Sequence, residues 1–161
     1  PKRLIAQTSS MGRKLEVETL ASALVSFRSG AMGVVEGTTL AYPEWEPYVE
    51  IVGSRGTIAF SAGRIMRLEL MNPTDQEIAA QAELLALTEQ HDRMSAVKNA
   101  AVPGLAVPSV DMGHTPVIQD FADAIRTGGK PLVDSREARR AVEFITSIYE
   151  SSRLDGKPVD F

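Results

Sequence analysis

The order in which strand-like and helix-like segments follow one another is the feature that most constrains this chain. Segments rich in Val, Leu, Ile and Thr occupy the first half: Arg3 to Thr8, Glu16 to Phe27, Met32 to Leu40, Tyr48 to Val52, Thr57 to Phe60 and Ile65 to Leu70. Gly30 lies in the turn after Phe27, where a short hairpin loop requires the positive φ that glycine adopts freely. Strands joined by such short turns pair antiparallel. The first half therefore predicts an antiparallel meander.

The second half has helical spacing. Thr74 and Glu77 have the spacing of a capping box. Thr115 suits an N-cap and Pro116 the first helical position. A last helix is predicted to start near Ser135 and to end before residue 156, and a short strand to follow. The predicted apolar faces of the three helices are Ile78, Ala82 and Leu85, then Ile118, Phe121, Ala122 and Ile125, then Ala138, Ala141, Val142, Ile145, Ile148 and Tyr149.

Strands first and helices after predict an α+β fold, with an open, mainly antiparallel sheet and helices packed on one face. We find no repeat and no linker, and residues 102–110 are interpreted as a loop, so residues 1–161 are predicted to form a single domain. Val25 and Phe27 share one face of their segment, as do Val34 and Glu36 of the next. The uncovered sheet face is therefore expected to be apolar enough to form a homo-oligomer.

Composition excludes several classes of function. The 161 residues include 17 basic and 21 acidic side chains and no cysteine, and the formal net charge is −4. We expect no nucleic-acid partner, because a basic face is absent, and no thiolate metal site or disulfide. No apolar run approaches the roughly 18 residues that span a bilayer, so no membrane partner is expected, and the predicted compartment is the cytoplasm.

A search for chemistry finds little. A dinucleotide site needs G-x-G-x-x-G between a strand and a helix, and the nearest glycine pairs, Gly30 with Gly33 and Gly53 with Gly56, lie in hairpin turns. The chain has two histidines, too few for a zinc site of three converging protein ligands built on imidazoles. We therefore assign no catalytic, cofactor-binding or metal-binding residue.

Three residues remain as candidates for substrate binding. Tyr42 and Trp45 offer flat rings on which a sugar could stack, although packing in the core or at an interface is the favoured explanation for such rings. His114 follows Asp111 at a junction between a loop and a helix, where it either lines a pocket or lies in a solvated turn. Both interpretations stay open on the residues alone.

The last fifty residues resemble a known family. They contain Gly113-His114-Thr115, the segment QDFADAIR at 119–126, GKPLVD at 129–134 and the end of a helix at 148–151 followed by Gly156-Lys157-Pro158. These motifs, with the hairpin at 21–38 and the turn at 51–58, resemble the closing half of the Gfo/Idh/MocA family of oxidoreductases. Each motif alone is weak, but their order and spacing together are specific. Thr19 departs from the family, which often has a carboxylate there.

This resemblance implies the substrate-binding and oligomerisation half of an NAD(P)-dependent oxidoreductase, a dehydrogenase acting on a sugar, polyol or related hydroxyl or carbonyl compound. The family's Rossmann half, its E-K-P lysine and its D-x-x-x-H pair are not encoded here, so the chain is expected to be inactive alone, with NAD or NADP bound by its own Rossmann domain in the intact protein. The resemblance also places His114 near the cleft between the halves. The alternative is a stand-alone α+β ligand-binding or dimerisation module without catalysis.

Overall fold

A computed structural model describes residues 1–43, 46–61, 64–99 and 114–161, and side chains in all of these except 89–99. In this part of the chain the strands are β1 (Arg3–Ser9), β2 (Leu20–Ser26), β3 (Met32–Thr38), β4 (Tyr48–Gly53), β5 (Gly56–Ser61), β6 (Arg64–Leu70) and β7 (Val159–Asp160). The helices are α1 (Asp75–Asn99), α2 (His114–Thr127) and α3 (Ser135–Arg153). The chain divides into two compact units, one formed by Pro1–Glu44 with Gln119–Phe161 and the other by Trp45–Ile118. The predicted α+β fold with open antiparallel sheets is confirmed.

The first unit contains a four-stranded sheet in the order β3-β2-β1-β7, antiparallel throughout. Gly30, with a φ of 91°, makes the predicted turn between β2 and β3, and the amide of Phe27 donates to the carbonyl of Ala31. The strand predicted from Glu16 begins only at Leu20, because residues before it form a loop. Thr19 closes this loop: its hydroxyl donates to the carbonyl of Met11 at 2.7 Å.

The core of the first unit lies between this sheet and α3. Leu4, Ala6, Ala23 and Val25 of the sheet are buried with Ile148 of the helix. The helix begins as predicted at Ser135, where the N-cap Asp134 accepts hydrogen bonds from two amides of the first turn. The last residues return to the sheet as predicted, with Val159 beside Leu4 in β7.

Two serines of α3 cover the edge of β1 that β7 leaves unpaired. Ser151 is fully buried; its Oγ accepts from the amide of Ala6 at 2.9 Å and donates to the carbonyl of Lys157 at 2.7 Å. Ser152 accepts from the amide of Thr8 at 3.0 Å. Exposed strand edges readily pair with other chains, and here helix side chains occupy the hydrogen-bonding groups instead.

The outer face of the same sheet is open and apolar. The residues on it include Ile5, Leu24, Met32 and Val34, with exposed fractions between 40% and 76%. Val25, which we expected to belong to an apolar open face, is buried on the opposite face, under the helix side. The open face is therefore apolar as expected, but Val25 does not belong to it. The pairing register sets which side chains share a face.

The second unit contains the three-stranded antiparallel sheet β4-β5-β6. The predicted capping box is present at the start of α1: Glu77 Oε2 accepts from the amide of Thr74, and Thr74 Oγ1 accepts from the amide of Glu77. The predicted face of this helix is only partly correct: Leu85 is half buried, but Ile78 is exposed, and Gln81 donates to the carbonyl of Leu68 in β6. Polar side chains of α1 thus satisfy the outer edge of β6.

The strand predicted from Ile65 to Leu70 is present as β6, but its pairing with β5 is irregular. The register shifts by one residue between Ala59 and Phe60, so Phe60 pairs with Ile65 while Ala59 pairs with Arg67. Met66 is the extra residue and is 58% exposed. A β-bulge of this kind changes which side chains share a face, and a period-two pattern in the sequence does not reveal it.

Helix α2 begins at His114, one residue before the N-cap predicted at Thr115, so Thr115 and Pro116 lie in its first turn. Its predicted apolar face exists, but none of its described side chains is buried. The loop predicted at 102–110 and Asp111 lie outside the described residues, as does the side chain of His91. No helix in the described ranges is long and apolar enough to cross a membrane.

Candidate functional site

The candidate His114 is the first residue of α2 and is exposed. The first amides of a helix have no partner within the helix, and together with the helix dipole they favour oxygen-rich ligands. Position 114 thus places an imidazole beside these amides. The structure gives His114 a place suited to a ligand contact.

Tyr42 follows β3 and is 98% exposed, and its bond to Pro43 is cis. A side chain this exposed packs on nothing within the described part of the chain, so core packing does not explain it. Trp45, the other aromatic candidate, lies outside the described residues.

A groove that sequence reasoning missed lies in the first unit, between the inner face of β2–β3 and α3. It encloses about 380 Å³. Its floor is apolar and its rim polar, and the residues that line it are Glu18, Thr19, Ala21, Val35, Glu36, Gly37, Thr38, Thr39, Ile145, Ile148 and Tyr149. Neither His114 nor Tyr42 is among them.

A carboxylate and a phenol meet at the rim of this groove. The hydroxyl of Tyr149 donates to Glu18 Oε1 at 2.7 Å. This hydrogen bond lowers the pKa of Glu18 and raises the pKa of Tyr149. Because 131 positions separate the two residues, no local motif in the sequence indicates the pair. Glu18 is held ionised and Tyr149 protonated, so neither is poised to exchange protons near neutral pH.

Threonines fix the end of the groove. Thr19 is buried, and its carbonyl accepts from the hydroxyl of Thr38 at 3.0 Å and from the amide of Thr39 at 3.0 Å. The hydroxyl of Thr38 in turn accepts from the amide of Leu40. The hydroxyl of Thr19 donates to the carbonyl of Met11, so this side chain ties down the loop before β2.

Four glycines that the structure describes do not fit a nicotinamide cofactor. Of the glycines considered for a phosphate loop, Gly30 lies in the β2–β3 turn, Gly33 within β3, and Gly53 and Gly56 flank the β4–β5 turn. None stands between a strand and a helix, where backbone amides approach a pyrophosphate. Within the part of the chain that the structure describes, no group of three or more acidic or histidine side chains could hold a metal ion.

These features define an open-sheet α+β domain. Residues 2–161 match the family described as "Oxidoreductase family, C-terminal alpha/beta domain", of the Gfo/Idh/MocA oxidoreductases. The chain belongs to this family, which confirms the resemblance seen in the sequence. A search of curated proteins gives no match.

Several solved structures with the same fold are dehydrogenases. The chain resembles the WlbA dehydrogenase from Bordetella pertussis in complex with NADH and UDP-GlcNAcA, with a TM-score of 0.69 and 24% identity over 99% of this chain and 42% of the other. For WlbA from Chromobacterium violaceum the TM-score is 0.71, with 22% identity over 99% and 40%. For levoglucosan dehydrogenase in complex with NADH and levoglucosan the TM-score is 0.64, with 18% identity over 99% and 44%. At these identities the likeness shows the fold alone.

Proposed function

We propose that this chain is the substrate-binding and oligomerisation half of an NAD(P)-dependent oxidoreductase that acts on a sugar, polyol or related hydroxyl or carbonyl compound. The observation that carries the proposal is the family match over residues 2–161. It is supported by the ligands of relatives with the same fold, which bind NADH together with a nucleotide sugar or an anhydrosugar.

The chain spans less than half the length of these relatives, 42% and 44% of two of them. The nicotinamide cofactor is therefore assigned to the part of the enzyme that this chain does not contain, in a Rossmann domain that precedes it. This assignment agrees with the poor fit of the present glycines to a dinucleotide site. The chain alone is then inactive, because hydride transfer needs both the bound cofactor and a proton acceptor within hydrogen-bond reach.

For substrate binding we keep His114 as the first candidate and Tyr42 and Trp45 as the second. His114 is exposed at the start of a helix, and a neutral imidazole there can hydrogen-bond a hydroxyl group. Tyr42 is free to stack on a sugar ring, since its side chain is 98% exposed. The cytoplasmic location stays a prediction from the sequence.

For oligomerisation we propose the open face of the four-stranded sheet. Leu24, Met32 and Val34 are exposed on it, and a contiguous apolar patch on a folded surface marks an interaction site. A second copy of the same sheet would cover it by a two-fold contact, the commonest symmetry of homo-oligomers.

The test is a calorimetric titration of two proteins with NADH and NADPH: this 161-residue chain, and the same chain with the polypeptide that precedes Pro1 in its gene. We expect no saturable binding by the short chain and binding tighter than roughly millimolar by the long one. Binding of either cofactor by the short chain contradicts the proposal. Absence of binding by both proteins also contradicts it, and this result favours a stand-alone module.

A further inference from the structure

Among the described residues of the first unit, the inner face of the four-stranded sheet is only half covered. Helix α3 packs on β1 and on β7, at one side of the sheet. The inner face of β2 and β3 carries Ala21, Val35 and Gly37, and these residues line the groove described above. Val35 is 42% exposed, although it shares its face with the buried Ala23. Half of the face that holds the core therefore lies open beside the helix.

The uncovered width matches one helix. Strands lie about 4.8 Å apart, so two strands span roughly 10 Å, which is the diameter of an α-helix with its side chains. On the side of α3 that lines the groove, Val142, Ile145 and Tyr149 form an apolar stripe with exposed fractions of 60%, 52% and 41%. These positions cover about two helical turns, or roughly 10 Å of helix length. The strands β2 and β3 and the exposed side of α3 together form an apolar surface on which a second helix can pack parallel to the sheet.

Gly37 gives an independent indication. A Cβ added at this residue meets nothing within 4 Å, and its φ lies outside the left-handed region. Neither crowding nor backbone conformation within the described part of the chain therefore requires a glycine in the middle of the groove floor. Glycine in a strand weakens it and often marks the close approach of another backbone. A helix seated on β3 would supply that approach.

We infer that this groove seats a helix of the polypeptide that precedes Pro1 in the intact enzyme. The inference rests on the proposed function, since it takes the helix from the half that this chain does not contain. The family match is to a C-terminal domain, and the relatives are more than twice as long as this chain, which covers 42% and 40% of two of them. A second copy fits poorly, because a two-fold contact would set one groove against another, and two concave surfaces are not complementary.

The rim predicts the charge of this helix. Glu18 lines the groove, and it accepts a hydrogen bond from the hydroxyl of Tyr149. A helix seated in the groove is expected to present apolar side chains to Ile145 and Val35 and a Lys or Arg to Glu18.

Single-cysteine labelling tests the inference, because the chain has no cysteine of its own. Ile145→Cys places a thiol in the groove, and Thr146→Cys places one on the next residue, which is exposed and donates to carbonyls of its own helix. Each variant is made in the 161-residue chain and in the intact polypeptide, with any cysteine of the preceding segment replaced by serine. The rate of reaction with a maleimide is measured in all four proteins.

We expect similar labelling rates for Ile145→Cys in the short chain and for Thr146→Cys in both lengths of polypeptide. In the intact polypeptide, labelling of Ile145→Cys should be slower by at least about tenfold, since a thiol under a docked helix reacts only on local opening. Equal rates for Ile145→Cys in the two lengths would overturn the inference. Protection of this thiol in the short chain, at concentrations where light scattering gives a dimer, would also overturn it, in favour of a second copy. Cofactor titration of the intact polypeptide is read separately, so failure of the proposed function is distinguishable from failure of this inference.

Discussion

Replacing Ser151 by alanine tests how the first unit holds the edge of β1. The substitution removes one hydroxyl that accepts from the amide of Ala6 at 2.9 Å and donates to the carbonyl of Lys157 at 2.7 Å. The side chain is fully buried, so water does not replace these bonds. Leaving a buried donor without an acceptor lowers the free energy of unfolding by about 1–3 kcal/mol, and losing an ordinary hydrogen bond lowers it by about 1 kcal/mol. Alanine returns roughly 0.5 kcal/mol through its higher helix propensity.

The free energy of unfolding should therefore fall by about 2–3 kcal/mol, which for a protein of this size lowers Tm by roughly 4–12 °C. Urea denaturation followed by circular dichroism measures the first quantity and differential scanning calorimetry the second. Amide hydrogen exchange adds a local measurement, because the amide of Ala6 loses its acceptor while the amide of Thr8 keeps Ser152.

Ser147→Ala is the matched control. Ser147 lies on the same helix and is also buried, but its hydroxyl donates to the carbonyl of Glu143 in its own helix. We expect a change within about 0.5 kcal/mol. Equal destabilisation by the two substitutions, or unchanged exchange at Ala6 in Ser151→Ala, would show that the edge of β1 does not depend on this serine.

Four further results are expected. His114→Ala in the intact enzyme should lower kcat/KM by roughly tenfold with little change in Tm, whereas a lowered Tm with unchanged kinetics would assign His114 a structural role. Light scattering should give at least a dimer for the intact enzyme, and Val34→Asp, on the open sheet face, should yield a monomer; a monomer without the substitution refutes that interface. The pKa of Glu77 is lowered from 4.5 to about 2, mainly by the amide of Thr74 and then by Arg55. The contribution of Glu77 to stability should therefore be complete above pH 4.5 and be lost as the pH falls towards 2. A titration of this carboxyl group by NMR with a midpoint near 4.5 contradicts the prediction. Asp134→Ala should destabilise α3 by about 1 kcal/mol, because two amides lose their N-cap acceptor, and an unchanged urea midpoint would refute the role of the cap.

Local patterns predicted much of the fold. The turn at Gly30 and the capping box of Thr74 with Glu77 each depend on residues a few positions apart, and the structure confirms both. The predicted start of β2 at Glu16 is wrong, because the hydroxyl of Thr19 donates to the carbonyl of Met11 and holds the preceding residues in a loop. That hydrogen bond is tertiary in origin and leaves no trace in the alternation of side chains.

The candidate site was harder to predict. The groove depends on Glu18 and Tyr149, which are far apart in the chain, and on the register that brings Ala21 opposite Gly37. Val25 was assigned to the wrong face for a related reason, since alternation shows which side chains share a face but not which face a helix covers. His114 was singled out through family resemblance, and its role in binding stays a prediction.

The division of the first unit between the two ends of the chain has a consequence during synthesis. The core around Leu4 and Ala6 cannot form until Ile148 and β7 have been synthesised, because these partners emerge from the ribosome more than a hundred residues later. The second unit pairs strands that follow directly along the chain. Local contacts form before distant ones, and domains generally fold as units during translation. The middle of this chain is thus expected to fold first, while the antiparallel strands β1–β3 lack their core partner until α3 is complete.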